Sequence, residues 1–225
     1  HLPCQVGAIA CRQKGGFVLA TDRGFAYWDA QTEDIEWLSN PEQGKPLYRF
    51  NDGKVDPKGR FWAGTMYDGP QVIPYPAGSL YCLDADGKVV VKETGVLISN
   101  GIGWSPDHRT MYYTDSLRKT IYAYDYDPDT GAIENRRFFI HTPGEPGVPD
   151  GLTVDSQGFV WSARWNGWKV TRYDPAGKPE REIKVPTACP TSVMLGGSDL
   201  HDLFITSAWK ELTAEVRNFQ PLAGN

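Results

Sequence analysis

The 225-residue sequence has no apolar run approaching the ~18 residues that a membrane-spanning helix needs, so no membrane partner is expected. It has no excess of basic residues: 23 Lys and Arg stand against 28 Asp and Glu, a net charge of −5. A duplex-binding protein would usually carry a basic face, so no nucleic-acid partner is expected. The four cysteines, Cys4, Cys11, Cys82 and Cys189, are scattered and form no CxxC pair. That argues against a zinc knuckle and against a disulfide scaffold, and a reduced, cytoplasmic setting is the expectation. No His-x-x-x-His pair points to a zincin site, and no Gly-x-Ser-x-Gly elbow points to a serine hydrolase. The start, His1-Leu2-Pro3-Cys4, has no charged-then-apolar leader and no initiating Met. Helical periodicity is missing as well, save for a short stretch over 208–217.

What the chain does have is turns and aromatics. It contains 24 Gly and 17 Pro, and 12% of it is aromatic, which with short alternating segments reads as all-β. Five segments repeat, starting at Val6, Asn51, Asn100, Asp150 and Thr191. Each reads as a strand, a turn built on Asp or Ser with Pro or Gly, and a second strand rich in aromatics. Gly53, Gly101 and Gly151 are spaced 48 and 50 residues apart. After each of the first four hairpins a further strand ends in aromatic-x-Asp or a close variant, as in Tyr27-Trp28-Asp29 and Tyr122-Ala123-Tyr124-Asp125, and a fourth strand follows. Four strands at such a period are the blades of a β-propeller; a sandwich or jelly roll needs no ~50-residue repeat. The count gives five inner hairpins and four outer pairs in one domain over 1–225, so the last blade reads as incomplete.

In a propeller the innermost strands border the central channel. Asn51, Asn100 and Asp150 are expected just before those strands, each beside or close to a glycine. Carboxylate and amide oxygens from separate blades, aimed at one spot, suit a hard divalent cation: Ca²⁺, Mg²⁺ or Mn²⁺, with Zn²⁺ as a further choice. The competing reading is that Asn-Gly and Asp-Gly simply make turns, their commonest use. Trp62, Trp104 and Trp161 recur at blade positions and are expected in the core between blades, while Trp165 and Trp168 are candidates for the wall of the channel mouth. The acidic stretch Asp125–Asp129 lacks the Gly and terminal Glu of an EF-hand loop and reads as a solvated turn.

The segment Arg49-Phe50-Asn51-Asp52-Gly53-Lys54-Val55-Asp56, continued by Gly59-Arg60 and Ala63-Gly64-Thr65-Met66, resembles a signature of the regucalcin/gluconolactonase (senescence marker protein) family. Ser99-Asn100-Gly101-Ile102, Pro149-Asp150-Gly151-Leu152 and Thr191-Ser192 with Gly196-Gly197 are similar to its further signatures, in order along the whole chain. The resemblance implies a six-bladed propeller with one divalent metal, and hydrolysis of a sugar lactone. It places Asn100 and Asp150 on metal ligands, with Asp150 also the general base, and Arg49 and Asn51 on substrate-binding positions. The family's further ligand, a Glu in the first blade, has no counterpart here, which implies a chain lacking part of its first blade and a weakened metal site. An acidic substrate contact expected after Gly-Thr-Met falls near Asp68, at a different local length. Two rivals follow from the same resemblance: phosphotriester hydrolysis at the same site, and a non-catalytic calcium-binding propeller.

Overall fold

The computed structural model describes residues 1–70, 78–210 and 212–224. Eighteen strands and one short helix lie among them. They form four four-stranded antiparallel sheets and one two-stranded sheet, each ordered as it runs in sequence. Such meanders are the blade unit of a β-propeller. The expected five inner hairpins and four outer pairs are therefore present.

The chain divides into two compact units. The first comprises residues 1–100 and 127–133. Its first sheet contains β1 (Val6–Cys11), β2 (Phe17–Thr21), β3 (Gly24–Trp28) and β4 (Ile35–Ser39). Its second contains β5 (Tyr48–Val55), β6 (Phe61–Tyr67), β7 (Gly78–Leu83) and β8 (Val89–Val96). The two share one core in which Ala8, Phe25, Phe50, Phe61 and Tyr81 are buried. The Phe25 and Phe50 rings lie 4.5 Å apart, a tilted pair that adds specific geometry to the burial.

The second unit comprises residues 101–126 and 134–225, so β9 (Ser99–Trp104) enters it after two residues. It holds β10 (Thr110–Asp115), most of β11 (Thr120–Asp127) and of β12 (Ala132–His141), then β13 (Val148–Val154), β14 (Val160–Trp165), β15 (Lys169–Tyr173) and β16 (Pro179–Lys184). The pair β17 (Pro190–Gly196) and β18 (Asp202–Ser207) follows, then α1 (Ala214–Asn218). Tyr112, Ile121, Leu152, Val160 and Tyr173 belong to one of its apolar clusters. The helix begins later than the sequence pattern placed it. Thr213 caps it, its hydroxyl accepting from the Val216 N–H at 3.3 Å. Glu211, inside the expected stretch, lies outside the described residues.

The turns follow the expected chemistry. In the β5–β6 hairpin, Asp56 Oδ1 accepts from the Lys58 and Arg60 N–H groups at 2.9 and 3.0 Å, while Gly59 takes φ +88°. The β13–β14 turn repeats this, with Asp155 Oδ1 accepting from Gln157 and Phe159 at 3.0 Å each. Trp62 and Trp161 are buried as expected, and their indole N–H groups donate to Asp56 and Asp155 at 3.0 and 2.9 Å. Trp104 is half-buried against Tyr126, with ring centroids 5.8 Å apart. Of the acidic stretch, Asp125 is a strand residue paired with Arg137 at 2.7 Å, and Asp127 caps the exposed turn after it. All four cysteines are free thiols, and no described helix is long and apolar enough to cross a membrane.

Candidate functional site

The inner strands are where the sequence reading needs its main correction. Asn51, Asn100 and Asp150 do not precede the inner strands and are not turn residues; they lie within β5, β9 and β13. In β5 the register runs Phe50↔Thr65, then Gly53↔Ala63, so three steps on one strand face two on the other. In β13 the same slip falls between Pro149↔Arg164 and Leu152↔Ser162. Related slips occur between Val6 and Ala8 in β1 and between Pro190 and Ser192 in β17. Each is a β-bulge, which leaves one residue outside the ladder and re-aims its side chain. Asp52-Gly53 in β5 and Asp150-Gly151 in β13 therefore mark bulges.

The glycines explain how the bulges fit. A Cβ on Gly101 would meet the Asp150 carbonyl oxygen at 2.6 Å and the Leu152 nitrogen at 2.7 Å. One on Gly151 would meet the Thr191 carbonyl oxygen at 2.7 Å. Inner strands within the second unit thus approach backbone to backbone, and only a residue without a side chain allows it.

In the first unit the β5 bulge anchors a continuous polar chain. Arg49 Nε donates to Asp68 Oδ2 at 2.7 Å, and Arg49 Nη1 donates to Asn51 Oδ1 at 2.9 Å. Asn51 Nδ2 then donates to Asn100 Oδ1 at 3.0 Å and to the Ser99 carbonyl at 2.8 Å. A guanidinium has only donors, so Arg49 requires the oxygen of Asn51 to face it. The Asn51 NH₂ is left to serve the far side, and the order Asp68–Arg49–Asn51–Asn100 is fixed by donor and acceptor type alone. The Arg49–Asp68 bond is a charge-assisted pair with side chains 17% and 32% exposed, sheltered enough to hold Arg49 in one rotamer. Asp68 reaches it because the ladder ends Arg49↔Met66, Tyr48↔Tyr67, and the Asp68 N–H continues it to the Leu47 carbonyl at 2.7 Å. Asn100 itself is buried.

Asp150 belongs to the second unit and is half-buried on the β13 bulge. The residue before it is pinned: the Ser116 hydroxyl donates to the Pro149 carbonyl at 2.7 Å. Pro149 also faces Arg164, whose fully buried guanidinium donates to Thr142 Oγ1 at 2.9 Å and to the Pro146 carbonyl at 3.4 Å. Arg164 thereby ties down the segment that leads into the bulge. Trp165 is half-buried at the end of β14; Trp168 is 46% exposed at φ +57°, its backbone bonded to Val185 and Ala188.

Two residues of the β5 motif carry a signal that the sequence reading did not use. Asp52 and Lys54 follow Asn51 at alternate positions, both half-buried. Burial pushes the Asp52 carboxyl above the usual carboxylate range, against the Gly53 N–H and the Lys54 charge. It pushes Lys54 below the usual ammonium range, against the charge of Asp52. Each is shifted towards its neutral form. A charged pair at i and i+2, on one face of an inner strand, is the clue the sequence offers.

The donor types bear on which metal the chain would accept. Among the described residues no three or more His, Cys, Asp or Glu side chains gather into a metal cage. Asn100 and Asp150 offer carboxamide and carboxylate oxygens, the Asn100 oxygen accepting from Asn51 Nδ2. All-oxygen donors, few in number, fit a hard cation that keeps part of its water shell.

Comparison with known proteins gives concordant results. The family model described as SMP-30/Gluconolactonase/LRE-like region matches residues 1–209. A regucalcin of Danio rerio is 43% identical over 222 residues, covering 97% of this chain and 74% of the relative. The structure of a calcium-binding protein, regucalcin, from Agrobacterium tumefaciens superposes with a TM-score of 0.92 at 32% identity, over 99% of this chain and 75% of that one. A gluconolactonase from Xanthomonas campestris gives a TM-score of 0.72 at 25% identity, over 89% and 68%.

Proposed function

Because the chain belongs to the SMP-30/gluconolactonase/LRE-like family, we propose that it hydrolyses a sugar lactone to the open-chain acid using one divalent cation, as a single domain that forms the larger part of a six-bladed propeller. The observation that carries this reading is the ordered chain Asp68–Arg49–Asn51–Asn100. It gives a half-buried guanidinium and two carboxamides, held in fixed orientation, for a polyhydroxylated ring. Arg49 and Asn51 bind and orient the substrate hydroxyls and carbonyl, which lowers the entropic part of the barrier. Asp68 acts on Arg49 and is a positioning residue. Asn100 and Asp150 hold the cation, which when bound supplies Lewis-acid polarisation of the lactone carbonyl.

Asp150 also serves as the general base. It accepts a proton from the water whose oxygen bonds to the carbonyl carbon. When the ring C–O bond breaks, the proton passes to the leaving alkoxide, yielding acid and hydroxyl. The resemblance to a calcium-binding regucalcin favours Ca²⁺ as the first cation to test.

The test is a side-by-side assay. Acid release from glucono-1,5-lactone and 4-nitrophenol release from a diethyl 4-nitrophenyl phosphate triester are followed before and after chelation, then with Ca²⁺, Mn²⁺, Mg²⁺ or Zn²⁺ restored. Lactone turnover that chelator abolishes and one cation restores is expected. Faster triester turnover would assign the site to phosphotriesters. Tight Ca²⁺ binding without turnover of either would make the protein a calcium binder.

A further inference from the structure

The first unit contains a cavity of about 320 Å³ that the candidate site does not use. It lies at the turn end of the inner hairpin β5–β6, between the β1–β2 and β7–β8 turns. Asn51 is four residues up β5 from its rim residue Val55, about 13 Å at ~3.3 Å per strand residue. The floor is apolar: Val18, Phe61 and Leu83, all buried members of the core shared by the two sheets. The rim is cationic. Arg12, Lys14 and Lys58 line it against a single carboxylate, Asp84, in a chain whose net charge is −5.

Those cations differ in what already holds them. Lys58 is paired with Asp129 at 2.9 Å. Arg12 sits over the Tyr27 ring, its guanidinium carbon 3.5 Å from the centroid, and among the described residues no carboxylate pairs with it or with Lys14. Stacking fixes the guanidinium plane while leaving its N–H edge to donate. A planar fork beside a second ammonium is a receptor for a carboxylate, and the apolar floor asks for a hydrophobic body. A sugar acid, the product class of the proposed reaction, would set hydroxyls against Phe61 and Leu83 and leave them unpaired.

We infer that this cavity is a second binding site, which takes a small organic acid with an apolar one- or two-ring body. The carboxylate lies between Arg12 and Lys14, and the rings lie on Val18, Phe61 and Leu83. The volume is at the lower end of the ~300–1,000 Å³ typical of ligand pockets, which sets the size limit. Cys11 also lines the cavity and is exposed, so it reports occupancy.

Equilibrium dialysis of the intact protein with 2-naphthoate, and with 2-naphthylmethanol as a neutral control of the same ring system, tests this. One 2-naphthoate per chain is expected, bound at least ten times more tightly than the alcohol. In an Arg12→Gln/Lys14→Gln variant that preference disappears, while lactone turnover is unchanged. Bound 2-naphthoate is also expected to slow carbamidomethylation of Cys11 by iodoacetamide, read on the Cys11 peptide by mass spectrometry. Equal affinity for acid and alcohol, or an unprotected Cys11 at saturating 2-naphthoate, overturns the assignment. Both readouts come from the wild-type protein, so they decide the matter even where the double variant does not fold.

Discussion

The two ends of an inner hairpin are built to different rules. At the turn end, β5–β6 and β13–β14 are near copies. Asp56 and Asp155 each turn one oxygen to two backbone N–H groups and the other to a tryptophan N–H and an arginine. Only the origin of the cation differs: Arg60 follows the turn in its own hairpin, whereas Arg172 reaches over from β15. At the bulge end the copies diverge, with Asn51 in one hairpin and Asp150 in the other. The turn end therefore secures the sheet. The bulge end, freed from the ladder by one residue, is where side chains can vary without breaking strand pairing.

That division can be broken from either side. The largest effect is expected from Asp150→Ala: kcat/KM for lactone falls by about 10³-fold or more, because a cation ligand and a base go together. The melting temperature stays within a few degrees. Full activity in a metal-replete Asp150→Ala protein would remove Asp150 from the mechanism. Asp56→Ala should do the opposite. It takes the carboxylate from Arg60, whose side chain is 10% exposed and keeps the Pro128 and Asp129 carbonyls, and it removes the Asp56 acceptor of the Trp62 N–H. Losing one partner of a buried pair costs about 3–5 kcal/mol, so chemical denaturation should show that loss while turnover per folded molecule is kept. A loss of activity without a loss of stability would show that the turn end serves chemistry after all.

Arg49→Ala tests the polar chain. KM should rise about tenfold, near 1.4 kcal/mol of binding, with kcat changed less. Asp68→Asn should reproduce part of that rise by loosening Arg49. A drop confined to kcat would mean that Arg49 acts on the transition state instead.

The smallest effect concerns acid. At Asp155 burial raises the carboxyl, but hydrogen bonds from Arg172, Trp161 and Phe159, with the Arg172 charge, outweigh it and leave the group below its ordinary value. A depressed carboxylate contributes stability that is complete above the unfolded pKa of ~3.9 and is lost as pH falls through the folded value. Arg172→Gln should move the acid-unfolding midpoint upward by about one pH unit or less. An unmoved midpoint, followed by tryptophan fluorescence, would show that Arg172 does not set the acid limit.

Sequence legibility followed the same division. The turn end was readable because Asp, Gly and aromatic residues sit at fixed offsets, and side-chain capping is a local interaction. The bulges were not, because an extra residue in a strand leaves periodicity almost unchanged; Asn51 and Asp150 were therefore placed one element too early. Asp68 stands at a local length that differs from the family's, and the Arg49↔Met66 register brings it within reach of Arg49 regardless. The Asp52–Lys54 pair was visible as letters, but its shifts come from burial, which depends on neighbours distant in sequence.

Gly101 sets a tolerance where β9 passes β13. Its Cα faces the Asp150 carbonyl oxygen and the Leu152 nitrogen, with the Leu152 Cγ beside them, so the spacing there is set mainly by main chain. Side-chain spacers soften as they hop between wells; a contact of bare main chain has no such wells to explore. The position of the Asp150 backbone should then vary little with temperature, and a single added methyl at residue 101 would displace it more than any thermal motion does.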